Sequence, residues 1–201
     1  HLSYDFKEFK DALFYWTKIY ELNEDNVDIR VLTSLGNCHR KLKTFEKGIY
    51  FFDKALARDP KNFYALFGMA DCYRGLNKQQ VSIEYWNKIL EIDPHNKVIL
   101  TRAGDAYRTL KKYDLAVESY NKALEIDFDI YAAIGLALIC KEKGNFDEAI
   151  LRFKNLIKDD PRNSRLYVDL AECYNLAGKK AEAISLLENF IQKDGRNIQI
   201  K

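Results

Sequence analysis

Leu66, Met69, Ala70 and Tyr73 recur at the three- and four-residue steps of a helix, so one side of that stretch is apolar. Val81, Tyr85, Trp86 and Ile89 follow the same rule a few residues later. The pattern breaks at "RGLNK" between the two runs and at "DPHN" after them. Proline cannot continue a helix and disfavours helix in the residue before it. The spacing therefore predicts two helices, a short turn between them, and a proline-marked end. Carried along the chain, it predicts eleven helices and no strand: a lone helix near residues 5–22, then five antiparallel pairs.

The pattern is also periodic. Pro60 and Pro94 are 34 residues apart, Phe128 stands where the next proline would fall, Pro161 follows, and Gly195 takes the last place. A fixed period of this size marks a repeat architecture. Aligned on that period, Gly36, Ala70, Gly104, Ala137 and Ala171 form one small-residue column. Gly48, Ser82, Ala116, Ala149 and Ala183 form another, with Ala12 in register upstream. Trp16, Phe52, Trp86, Tyr120, Phe153 and Leu187 form a bulky column, and His39, Tyr73, Tyr107, Cys140 and Tyr174 a mostly aromatic one. Large side chains beside small ones supply ridges and the grooves that receive them.

A helix–turn–helix unit of 34 residues, with a large residue, a Leu-Gly, an aromatic, a small residue, a second aromatic and a closing proline, resembles the tetratricopeptide repeat. "LTSLGNCH" with the residues up to Pro60, and "LTRAGDAY" with those up to Ala123, carry the resemblance most fully. It spans nearly the whole chain. It implies an all-α, right-handed superhelical α-solenoid forming a single domain over residues 1–201. That domain would comprise a half repeat at 1–26 and full repeats at about 29–62, 63–96, 97–129, 130–163 and 164–197. Phe128 and Gly195 for proline, His39 and Cys140 for tyrosine, and the smaller Ala133 depart from the family pattern, as do two extra residues near "NEDNVD".

Composition narrows the function. The chain is 47% hydrophobic and 31% charged with a formal charge of +2, a globular balance with no bias towards nucleic acid or a membrane surface. No apolar run is long enough to span a bilayer. No initiating methionine precedes His1, so the chain reads as a piece of a longer protein. Cys38, Cys72 and Cys173 share one column and Cys140 lies one step along; no C-x-x-C occurs and no histidine joins them at zinc-ligand spacing. They are expected to be apolar filler, reduced and metal-free, which suits a cytoplasmic setting. No nucleophile–base spacing or phosphate-binding loop stands out, so no catalysis and no cofactor are expected.

The resemblance implies a binding groove lined by the first helix of each pair. Its basic column is Arg40, Arg74, Arg108 and Lys141, ending at Asn175; three residues earlier stand Asn37, Asp71, Asp105, Leu138 and Glu172. A third column is Thr33, Phe67, Thr101, Ile134 and Val168, and Tyr64, Arg102 and Tyr131 complete the candidate surface. Two readings of the basic column stand side by side: a ladder that receives acidic side chains of a partner, or salt bridges within each helix at Asp71–Arg74 and Asp105–Arg108. Phe67, Ile134, Tyr64 and Tyr131 would form the apolar floor of a peptide site, or pack between repeats. Co-chaperone members of the family hold a terminal carboxylate with a set of Lys, Asn and Arg. Thr33, Asn37, Gly68, Val98 and Arg102 stand at those places, so the set is absent.

The expected function is a protein-interaction scaffold that binds a partner peptide or helix in the groove, without nucleic acid or membrane insertion. Two alternatives are a structural, self-associating segment, and the substrate-binding repeats of an enzyme whose catalytic domain lies elsewhere. Leu186, Leu187, Phe190 and Ile191 on the last helix are expected to lack a covering helix, favouring end-to-end association.

Overall fold

The structure is a computed structural model that describes residues 2–22 and 26–194. Among the described residues it contains eleven helices and no strand. They are α1 (Leu2–Leu22), α2 (Ile29–Lys41), α3 (Phe45–Arg58), α4 (Phe63–Gly75), α5 (Gln79–Ile92) and α6 (Lys97–Thr109). The rest are α7 (Tyr113–Ile126), α8 (Ile130–Glu142), α9 (Phe146–Asp159), α10 (Ser164–Leu176) and α11 (Lys180–Asp194). Gly195, and much of the "NEDNVD" junction, lie outside the described residues.

Each helix boundary has a local cause. Asn62 and Asn96 cap α4 and α6 by accepting from the amides of Ala65 and Ile99, at 3.1 and 3.2 Å. The same asparagines donate back to Asp59 and Asp93, which explains why "DPKN" and "DPHN" both end one pair and begin the next. Where Phe128 replaces proline, Asp129 caps α8 on Tyr131 and Ala132. The turn inside each pair needs one residue in the left-handed region: Lys43, Asn77, Lys111, Gly144 and Gly178, with φ between +56° and +79°. Glycine takes that conformation without the Cβ penalty that Lys43 and Lys111 bear.

The helices fall into two compact units that divide within α7, between Ser119 and Tyr120. In each unit successive helical hairpins pack one on the next, the arrangement of an all-α solenoid. In the first, Phe52 is 1% exposed and Trp86 fully buried. The ring of Phe52 lies against the Cα atoms of both Gly36 and Gly68, so close that a Cβ on Gly68 would meet it at 2.1 Å. In the second unit Phe153 is fully buried and the ring of Tyr120 lies over Gly135 in the same way. Small and bulky columns meet because two helix backbones approach only where side chains leave room.

All four cysteines are free thiols; Cys38, Cys72 and Cys173 are buried and Cys140 is half-buried. Burial pushes the Cys72 thiol up to about 12 and that of Cys173 to about 11, which removes the nucleophilic thiolate. They serve as small apolar side chains between helices.

Candidate functional site

The first helices of three successive pairs, α2, α4 and α6, bring Arg40, Asp71, Arg74 and Arg102 together. Asp71 is only 7% exposed. Its Oδ2 accepts from Arg40 Nη1 at 2.5 Å, and its Oδ1 accepts from Arg74 Nε and Nη2 at 3.0 and 2.6 Å. Arg102 Nη1 reaches the same Oδ1 at 3.4 Å. Asp71 thus ties three hairpins to one carboxylate. Burial alone would push this carboxyl up; the hydrogen bonds and charge of Arg74, followed by those of Arg40, outweigh it and hold Asp71 below the ordinary aspartate value. Burial likewise holds Arg102 below the ordinary arginine value, with Asp71 opposing the shift and the charges of Arg74 and Arg40 adding to it.

The salt bridges include the intrahelical pair and add bridges between hairpins that neither reading of the basic column contains. Asp71–Arg74 does lie within one helix, but Arg40 and Arg102 each reach Asp71 across a sequence separation of 31. In the second unit Lys141 makes the corresponding bridge to Glu172 at 2.7 Å, again 31 residues away, and lies 4.0 Å from Asp169. Arg40 and Lys141 therefore join hairpins, and both are mostly covered, with side chains 16% and 13% exposed.

Beside this cluster, between α2 and α4, lies a hollow of about 520 Å³. Asn37, Arg40, Tyr64 and Phe67 line it, all marked by the sequence. Thr33 of the third column and Gly68, at a place of the absent carboxylate-binding set, line it too, with Arg30, Ser34, Phe52 and Phe63, which belong to no groove column of the sequence. Phe63 could have been found from its place beside Tyr64 at the start of α4. Gly68 leaves the floor open, so that Phe52 forms its base. Tyr64 is 73% exposed, Phe67 half-buried. The guanidiniums of Arg40 and Arg102 lie 5.7 and 5.1 Å from the centroid of the Phe67 ring, which packs edge-on to Trp86. Asn37 accepts from Arg40 Nη2 at 2.6 Å, which fixes the guanidinium against the wall.

Asp105 is exposed and Arg108 half-buried on α6, the former within electrostatic reach of Arg102. In the second unit Tyr131 is exposed, whereas Ile134 is 5% exposed and belongs to the core, not to a groove floor. The last hairpin holds another hollow, of about 440 Å³, lined by Val168, Ala171, Ala183, Ile184 and Leu187 among others. Phe190 is not bare as expected: it is 6% exposed and stacks on Tyr167 with ring centroids 4.0 Å apart. Ile191 is exposed and Leu187 half-buried.

Helical hairpins repeated at near-constant spacing and packed one on the next define a helical-repeat protein. Models of the tetratricopeptide repeat match residues 29–62, 64–96, 99–130 and 142–201, and the chain belongs to that family. Among solved structures, a tetratricopeptide repeat protein from Parabacteroides merdae is similar with a TM-score of 0.84 and 27% identity, over 94% of this chain and 76% of that one. MamA is similar with a TM-score of 0.71 and 21% identity, over 84% and 92% of the two chains. YrrB, described as a TPR protein with an unusual peptide-binding site, is similar with a TM-score of 0.66 and 21% identity, over 90% and 93%. No curated protein sequence matches the chain. Among the described residues no helix is long and apolar enough to cross a membrane.

Proposed function

We propose that the chain is a non-catalytic interaction scaffold whose first unit holds a linear partner segment along α2, α4 and α6. The observation that carries this reading is the 520 Å³ hollow walled by Phe63, Tyr64 and Phe67 and bordered by the arginine cluster on Asp71. A repeat turns one residue per unit into a row, and a row fits an extended or helical segment. Arg74, Arg102 and Arg108 would receive acidic side chains, and Phe67 and Tyr64 an apolar one. Peptide binding by the structurally similar YrrB agrees with this use of the fold but, at 21% identity, speaks for that protein alone. Tyr131 and Lys141 would offer the second unit an analogous surface.

Reversing charge at two points, Arg74→Glu with Arg108→Glu, should weaken capture of such a partner by more than about tenfold, since each substitution sets like charge against the ligand. Affinity capture with the wild-type chain, the double variant and an exposed control on α5, Lys88→Glu, measures this. Circular dichroism should remain helical in all three. A partner held equally by the double variant would exclude this groove.

A second reading is favoured by one contrast on the last hairpin. Ile134 and Ile150 are 5% and 6% exposed, but their repeat equivalents Val168 and Ile184 are 53% and 58% exposed. A second copy of the chain docked there would bury them and give end-to-end association. Sedimentation across a concentration series should then reveal dimers that Ile184→Glu abolishes; a wild-type monomer throughout would end this reading.

A further inference from the structure

Asp71 occupies the position that a bound carboxylate would take in a cradle of guanidiniums. We infer that it is a built-in competitor: it half-fills a carboxylate site whose remaining capacity, on Arg74 and Arg102, receives an Asp or Glu side chain of a peptide that seats a bulky apolar residue in the neighbouring hollow. The inference rests on the groove reading above and adds to it the chemistry of the ligand and the residue that tunes its affinity.

The donor inventory supports the division of labour. A guanidinium carries five N–H donors. Arg40 commits one nitrogen to Asp71 Oδ2 and another to Asn37 Oδ1, and its side chain is only 16% exposed, so it is a wall of the cradle. Arg74 gives Nε and Nη2 to Asp71 Oδ1 but leaves Nη1 without an assigned acceptor on a side chain 47% exposed. Arg102 makes one long contact of 3.4 Å from Nη1 on a side chain 35% exposed, and its buried Nε has no hydrogen-bond partner, so its capacity for a further anion lies at the guanidinium tip. Oδ1 already takes bonds from two arginines, so it cannot serve the outer donors as well. Arginines outnumber the carboxylates around them even with Asp105 included. Burial first, and then the charges of Arg74 and Arg40 against the opposing charge of Asp71, hold Arg102 below the ordinary arginine value, and a further anion would offset that repulsion.

Phe67 links this site to the hollow. The guanidiniums of both Arg40 and Arg102 lie against its ring, while its helix neighbours Phe63 and Tyr64 wall the cavity. A peptide with an acidic residue a few positions from a large apolar one reaches both. A basic or uniformly polar peptide gains nothing from either.

The test is a selection of random linear peptides displayed against the intact immobilised chain, followed by fluorescence anisotropy with the enriched peptide. The expected consensus pairs an acidic residue with a bulky apolar one. Asp71→Asn should tighten binding of that peptide by about tenfold, because a like charge is removed from a partly desolvated site. Arg74→Gln should weaken it by about tenfold, and Tyr64→Ala by a similar factor. Should Asp71→Asn fail to melt cooperatively, the exposed Arg74→Gln variant and replacement of the peptide's acid by its amide carry the decision. Enriched peptides that lack acids overturn the inference, as does binding that a folded Asp71→Asn variant leaves unchanged or weaker. If Tyr64→Ala still abolishes binding in those cases, the groove reading survives alone. Absence of any enriched peptide, or binding indifferent to every groove substitution, overturns both.

Discussion

Replacing Phe52 with alanine is expected to lower the unfolding free energy by about 3–5 kcal/mol, the range for deleting a fully buried aromatic side chain. The size follows from where the ring sits. It is 1% exposed and wedged between Gly36 on α2 and Gly68 on α4, joining a hairpin to its successor. Neither glycine can grow a side chain to refill the void from its own backbone without displacing neighbours, so the cavity persists. The converse substitution tests the same contact. Gly68→Ala would set a Cβ at 2.1 Å from the ring, which must shift to admit it and leave its contact with Gly36. The cost of Gly68→Ala should therefore shrink when it is combined with Phe52→Leu, a coupling that a double-mutant cycle detects. Tyr64→Ala, on the exposed wall of the hollow, should alter stability by less than about 0.5 kcal/mol. Urea denaturation measures all five variants, Phe52→Leu alone included. A loss below about 1 kcal/mol for Phe52→Ala would mean that the hairpins are not held together by this wedge.

Phe52 and Gly36 were legible in the sequence because each belongs to a column that keeps its character in every repeat. Gly68 was not, because its column reads Ser34, Gly68, Arg102, Gly135 and Asp169. Small residues occur there where the preceding ring presses on the backbone, as Phe52 does on Gly68 and Tyr120 on Gly135. In the third repeat the same place holds Arg102, whose guanidinium instead lies 5.7 Å from the centre of the Trp86 ring. One position thus meets the same neighbour by two different chemistries, and an average over repeats hides both.

The site was legible by residue and not by partner. Arg40, Arg74, Arg102 and Asp71 were all marked, but comparison at the repeat length sets like beside like and says nothing of what touches what. Neighbouring first helices meet about one turn out of register. The bridges accordingly join residues 31 apart, as at Arg40–Asp71, Asp71–Arg102 and Lys141–Glu172. An offset one turn short of the repeat, with opposite charges at its two ends, is the signal that would have revealed them. The hollow beside them depends on the absence of a side chain at Gly68 and on ring orientation, and neither is written in a periodic pattern.

Asp71→Asn is expected to lower stability by about 2 kcal/mol at neutral pH, because it removes the one carboxylate that three hairpins share and leaves buried guanidinium uncompensated. Breaking a fully buried pair costs more, about 3–5 kcal/mol; Arg74 and Arg102 are partly exposed here, and water recovers part of their solvation. The pH dependence separates this from a simple packing loss. Because the folded form holds Asp71 below its ordinary value, its contribution is present in full above that value and disappears as the pH falls through it towards the lower folded one. His39 acts in a different window. Buried against Phe51 and Thr44, with Lys47 nearby and Glu46, Tyr50, Leu13 and Thr17 around the adjoining hollow, it is held below the ordinary histidine value, first by burial and then by the charge of Lys47. Its contribution therefore begins to fall at higher pH, once the solution drops below the unfolded histidine value. Denaturant titrations at a series of pH values should show the wild type losing stability in both windows. The Asp71→Asn variant should keep the histidine step and lose much of the aspartate one. If the variant were as stable as the wild type at neutral pH and its acid limb unchanged, the shared carboxylate would contribute nothing to joining the hairpins.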